Sequence, residues 1–95
     1  MNDIYEFVLN VLSETCDVDT KSVSPNTNII EDLQVDSVDF LDAIYEIDKN
    51  YGIKVPVSNW IAEINEGKKD SSDYFIVEKF VEKIATLINQ KIVEE

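Results

Sequence analysis

The chain has 95 residues, of which 44% are apolar, and its eight lysines face twenty acids with no arginine, a formal charge of −12. That length makes one domain, residues 1–95, with room for a modest core and none for a second domain. The apolar share is too high for a disordered acidic tail. The charge argues against nucleic acid as a partner, because binding phosphates needs the opposite sign, and it disfavours anionic membranes for the same reason. Such a field speeds encounter with basic surfaces on other proteins. It also strains the compact state by self-repulsion, so the melting temperature should rise with ionic strength; a flat salt response would make that repulsion minor. No apolar run reaches membrane-span length and the N-terminus lacks the basic-then-apolar order of a signal peptide, so no stable membrane insertion and a cytoplasmic location are expected. Cys16 stands alone. An internal disulfide is therefore impossible, and a buried or half-buried inert thiol is expected.

In chain order, Ile4, Phe7, Val8, Val11 and Leu12 fall at the spacing of one helical face, with Asp3 and Glu6 in the first turn, where the helix dipole favours acids. A first helix is predicted from about Asp3 to Thr15. From Asp17 to Asp36 the periodicity stops, and Pro25 among Ser24, Asn26, Thr27 and Asn28 marks turns. Yet Val23, Ile29, Ile30, Leu33 and Val35 are too apolar for a free linker, so this loop should pack over the helices. Long ordered loops are uncommon in small domains and are often functional.

The loop delivers Asp36-Ser37-Val38-Asp39-Phe40-Leu41 into a second helix, predicted from about Ser37 to Asn50. A serine at a helix entrance can serve as a simple N-cap. A cap does not explain Asp36 beside it, nor the seven acids without a base from Glu31 to Asp48. At 100° per residue, Phe40, Leu41, Ile44, Ile47 and Tyr51 share one side of the helix. Asp39, Asp42 and Glu46 share the opposite side, with Val38 and Tyr45 at the border. Apolar residues beside an acid stripe suit a partner surface, since charges steer while the apolar pair contributes contact. Asp48 projects toward the apolar arc near the negative helix end, where a rim position or a lysine such as Lys49 or Lys54 would relieve it.

Tyr51-Gly52 ends this helix, glycine supplying a left-handed turn. Ile53, Val55 and Val57 alternate around Pro56 as a short extended link, and Ser58 or Asn59 is placed to cap a short helix carrying Trp60, Ile61 and Ile64 and ending at Gly67. After the polar break at Lys68–Ser72, a last helix is predicted from Ser72 or Asp73, with Val77, Phe80, Val81, Ile84, Leu87 and Ile88 as its buried stripe and fraying near Ile92. The fold class is all-α, a four-helix bundle with a long first loop and a short third helix.

The Asp36-Ser37-Val38 motif, followed by Asp39, resembles the attachment site of the acyl carrier proteins, in which a serine of an Asp-Ser-Leu motif carries 4′-phosphopantetheine. Two positions depart from that pattern: Gln34 stands where the family has glycine, and Val38 where it has leucine. Gln34 implies a negative φ, or a cost if φ is positive. The likeness runs over nearly the whole chain and is similar to a specialised branch, the bacterial carriers of very long acyl chains for lipid A. Glu14-Thr15-Cys16-Asp17, Asp39-Phe40-Leu41-Asp42, Ile47-Asp48-Lys49 and Tyr51-Gly52-Ile53-Lys54-Val55-Pro56 carry it, with Trp60, Asn65, Gly67-Lys68 and Tyr74-Phe75.

The resemblance implies an acyl-carrier-type bundle that is not itself an enzyme and needs no metal of its own. A phosphopantetheinyl transferase would modify Ser37 from coenzyme A and Mg²⁺, with Asp36 helping to position that metal in the transferase complex. The arm would hold acyl groups as thioesters, and its length would let one substrate visit several active sites. Ketoacyl synthases, acyltransferases and other acyl-chain enzymes with basic docking surfaces would meet Val38, Asp39, Asp42, Tyr45 and Glu46, with the carrier acting as a monomer. The link from Gly52 to Ser72 is longer than in ordinary fatty-acid carriers. Its residues Val57, Trp60, Ile61 and Ile64 therefore stand, with Phe40, Leu41 and Ile44, either as the lining of an enlarged acyl cavity or as plain core.

Other readings fare worse on the residues. With no histidine, neither a Ser-His nor a Cys-His pair can form. Asp32, Gln34 and Asp36 imitate an EF-hand loop, but Ser37 stands where the glycine belongs and Ala43 where the bidentate glutamate belongs. One cysteine makes zinc implausible. What remains is an ordinary fatty-acid, polyketide or peptide carrier, or an acidic helical binding protein without a prosthetic group. Labelling from coenzyme A, lost on Ser37→Ala, separates carriers from the last.

Overall fold

The apolar spacings of the sequence become helices that bury one face each. The computed structural model describes residues 2–94, and the side chains of Asn2, Ser37, Ile92, Val93 and Glu94 lie outside that description. Helix α1 spans Asn2–Cys16, α2 Ser37–Tyr51, α3 Val57–Asn65, α4 Ser71–Tyr74 and α5 Val77–Glu94, with a 3₁₀ turn at Thr20–Ser22. Four helices thus make the bundle, and α4 is a single added turn. Helix α1 packs against α2 and α5. Val8 and Leu12 of α1, Phe40 and Ile47 of α2, and Phe80 and Ile84 of α5 form the centre of the core.

Helix α2 begins and ends on local chemistry. Asp36, in extended conformation, caps it: its Oδ1 accepts the Val38 N–H at 2.8 Å, and Phe40 N–H donates to the Asp36 carbonyl. The cap is therefore Asp36, and Ser37 is the first helical residue. At the other end Gly52 adopts φ 64°, and its N–H and that of Ile53 both donate to the Asp48 carbonyl. The Asp48 carboxylate accepts the Val55 N–H at 2.9 Å. A backbone N–H of the incoming link, rather than Lys49 or Lys54, is what accommodates this acid.

The start of α3 departs from the sequence reading. Neither Ser58 nor Asn59 caps it; Pro56 holds the N-cap position with φ −80° and ψ 56°, and no side chain bonds the first turn. Val57 N–H donates to the Val55 carbonyl at 2.8 Å, which with those dihedrals makes Pro56 the centre of an inverse γ-turn. The proline ring presets φ, so the turn forms without a cap.

The last helix also starts later than expected. Phe75 breaks the run after α4, and α5 begins at Val77 because the first loop reaches across to it. Val77 and Glu78 donate to the carbonyls of Thr27 and Pro25, at 2.9 and 3.0 Å. Those are N–H groups a helix start leaves without internal partners. Ile29 N–H donates to the Phe75 carbonyl at 2.8 Å, and Asn28 bridges Ile76 in antiparallel fashion. Fraying near Ile92 is not seen in the backbone, which stays helical to Glu94.

The long loop is packed, as its composition requires. Ile29 is fully buried, and the Asn28 side chain, 4% exposed, is its hub. Asn28 Oδ1 accepts from the N–H groups of Ile30 and Glu31, while Nδ2 donates to Glu31 Oε2 and Ser71 Oγ. Every hydrogen-bonding atom of this buried amide is used.

Candidate functional site

The site begins where the loop becomes α2. Its first turn points backbone N–H groups and the positive end of the helix dipole outward, an arrangement suited to an anion. Ser37 supplies the hydroxyl-bearing residue there, and Asp36 and Val38 on either side are exposed, Val38 at 65%. A phosphodiester ester-linked at this position fits: the helix end offsets part of the repulsion from Asp36 and Asp39, and the exposed flanks leave a long arm free to turn.

Along α2, Val38, Leu41 and Tyr45 recur at i, i+3 and i+7 and are 65%, 50% and 64% exposed. Asp42 and Glu46 are exposed beside them and Asp39 is half-buried. Periodicity groups Leu41 with Phe40, Ile44, Ile47 and Tyr51, but Leu41 lies outward of Phe40 and joins Val38 and Tyr45 in one apolar stripe edged by carboxylates. The acid face meets the end of α1. Burial pushes the Cys16 thiol up against a lowering hydrogen bond from Thr15, and Asp39 and Asp42 push it further. The thiol stays protonated at neutral pH and is a poor nucleophile.

One turn from Ser37, Leu41 forms part of the wall of an apolar groove of about 260 Å³. Ile61 and Ile64 of α3 face Leu41 across it, Ile30 and Val35 come from the loop, and the buried rings of Phe40 and Phe75 are its floor. Of the seven residues considered for an acyl cavity, Phe40, Leu41, Ile61 and Ile64 thus meet in one place. Ile44 and Trp60 are buried in the core outside this groove, and Val57 borders a separate surface depression with Lys54 and Pro56. Sequence reasoning missed Phe75, Asn65 and Ser71 as lining. For Ile30 and Val35 the signal was present, in a loop too apolar to be free.

Helix α3 is held over the groove from its other face. Trp60 stacks on Tyr74 with ring centroids 5.0 Å apart, Lys83 Nζ sits 4.9 Å from the Tyr74 ring, and the Tyr74 hydroxyl donates to Glu63 Oε2. That hydrogen bond, then burial, then the neighbouring carboxylates of Glu63 and Asp73 push the Tyr74 phenol up to about 12. Among the described residues no cluster of acids and cysteine could hold a metal ion, and no helix is long and apolar enough to cross a membrane.

Residues 6–64 match the family model described as phosphopantetheine attachment site. The chain is 37% identical over 91 residues, 96% of its length and 98% of the relative's, to the acyl carrier protein AcpXL of Mesorhizobium japonicum, with the same figures for AcpXL of Brucella melitensis. To the acyl carrier protein of a Picosynechococcus species it is 33% identical over 54 residues, 57% of this chain and 67% of that one.

Proposed function

The chain belongs to the phosphopantetheine-attachment family of acyl carrier proteins, and from that premise we propose that Ser37 is the residue that carries the arm. The family membership makes the protein an acyl carrier with covalently attached 4′-phosphopantetheine, whose thiol, when the arm is bound, holds acyl groups as thioesters. The observation behind Ser37 is its place as the first residue of α2, capped by Asp36 and one turn from an apolar groove.

The protein's own residues divide the work. Asp36 fixes the helix entrance through Oδ1 and keeps an exposed carboxylate next to the modified residue, which supports its part at the metal of a phosphopantetheinyl transferase. Val38 and Tyr45 offer apolar contact and Asp39, Asp42 and Glu46 the charge that steers ketoacyl synthases and acyltransferases with basic surfaces. Leu41, Ile61 and Ile64, over Phe40 and Phe75, shelter the acyl tail from water. On this reading the protein is one domain over residues 1–95 that works in the cytoplasm as a carrier, on what its partner enzymes supply, rather than as an enzyme.

The acyl groups are long or very long and serve lipid A or lipopolysaccharide synthesis. The support is the AcpXL relatives, which match along 96% of the chain, α3–α5 included, where an ordinary carrier matches 57%.

Incubation with coenzyme A and a competent transferase should raise the intact mass by one arm in the native chain and not in Ser37→Ala. Labelling at any other residue, or none, overturns the assignment. A panel of acyltransferases and synthases then tests the pathway: indifference to long-chain enzymes, with full service to ordinary fatty-acid synthesis, would remove the lipid A role.

A further inference from the structure

The groove is too small for the tail that this function assigns to it. An apolar cavity of about 150 Å³ takes a benzene ring. By that measure the 260 Å³ beside Leu41 seats about ten carbons. A longer chain must leave, either back through the mouth or onward.

A second space adjoins the groove. A second cleft of about 380 Å³ lies between Glu31 of the loop and the Gly67–Ser72 turn, and Ile64 and Ser71 border both spaces. Between them stand a serine on α4, Ile64 near the end of α3, and the loop at Ile30-Glu31. This boundary is fixed in place from within. The buried Asn28 amide donates to Ser71 Oγ and to Glu31 Oε2, both at 3.1 Å, so the loop and α4 are tied together under the seam. The floor, by contrast, is closed by Phe40 and Phe75, whose rings pack edge to face at 5.5 Å and are 2% and 1% exposed.

Resting on the carrier reading above, we infer that Ile64 and Ser71 form the exit of the acyl groove, through which the distal part of a chain longer than the groove passes into the cleft at Gly67–Ser72. These two residues then set the length at which full burial stops. Beyond them the lining is polar, with Glu31, Lys69, Asp70 and Ser72, so added carbons shed less water and stabilise less than those inside.

The test uses the full chain with the arm attached, loaded with acyl groups bearing a photoreactive diazirine at the far end. A short chain of about eight carbons and a long one of about sixteen bracket the groove's capacity. After irradiation the crosslinked residues are mapped by mass spectrometry. The short chain should mark groove residues around Leu41, Ile61 and Phe75, and the long chain the segment Gly67–Ser72. Ile64→Phe, which breaks no hydrogen bond, should abolish the long-chain label at Gly67–Ser72, and a long-chain label that persists there overturns the exit. A long chain that marks only groove walls, or is quenched by solvent while the short one marks the groove, overturns the exit and leaves the groove standing. A short chain that fails to mark the groove overturns both, and failure to attach the arm at Ser37 overturns the carrier assignment beneath them.

Discussion

The two sides of α2 are built differently. Toward α1 and α5 its side chains enter a continuous core in which Val8, Leu12, Ile47, Phe80 and Ile84 are at most 1% exposed. Toward α3 the contact is partial: Leu41 and Ile61 keep 50% and 38% of their surface and an apolar groove lies between them. The first side is a scaffold that fixes where Ser37 stands. The second is a cover, anchored by Trp60, which stacks on Tyr74 and meets Phe75 and Phe80 edge-on, and by one phenol–carboxylate bond, while its side toward Leu41 stays open. Regions with few buried contacts open at lower free energy than the global fold.

Core truncation should expose this difference most strongly. Phe80→Ala removes a fully buried ring packed near Phe40, Trp60 and Phe75 and should cost about 3–5 kcal/mol in urea unfolding. Ile61→Ala, on the cover, should cost less than about 1.5 kcal/mol, since much of that side chain is already in water. Equal losses would mean that α3 is core rather than cover.

Between scaffold and cover stands Asn28, and its removal should come next in size. Asn28→Ala leaves the N–H groups of Ile30 and Glu31 without their acceptor and Ser71 without its donor, a loss of about 2–3 kcal/mol. Hydrogen exchange should then accelerate at Ile30, Glu31 and α4 before it does in α1. Uniform acceleration would place Asn28 in the scaffold instead.

A smaller effect should appear only in alkali. Tyr74 holds its proton up to about 12 in the folded chain, whereas an unfolded tyrosine loses it near 10. The folded value is the higher one, so the stabilisation from the Tyr74–Glu63 bond is complete below about pH 10 and disappears as pH rises toward 12. Tyr74→Phe should flatten stability against pH in that window and leave the profile near neutrality unchanged in shape. An identical alkaline profile in the variant would rule out the bond as the anchor of α3.

The same division decides what could be read in the sequence. Helices α1, α2 and the body of α5 were legible because a buried face repeats every three or four residues, and Gly52 marked its turn through its freedom at positive φ. The motif at Ser37 was legible because its chemistry is local. What escaped was set by distant chain: the start of α5 by the Thr27 and Pro25 carbonyls, the comfort of Asp48 by the Val55 N–H, the role of Asn28 by Ser71 across 43 residues. Leu41 was left open between cavity lining and plain core for a related reason. Periodicity gives the direction of a side chain but not whether the neighbour opposite fills the space, and α3 leaves a groove there.

The smallest effect concerns the loop that presents Ser37. Gln34 adopts φ 51°, a conformation that suits glycine and strains other side chains. It is exposed, two residues before the Asp36 cap, so its replacement removes no buried contact. Gln34→Gly should relieve the strain while loosening the unfolded chain, two effects of opposite sign. The strain is the larger at positive φ, leaving a net gain of about 0.5–1 kcal/mol. Because the relief lies in the loop and not in the cover, that gain should persist in a Tyr74→Phe background. A gain that vanished there would couple the loop to α3 and blur the line between scaffold and cover.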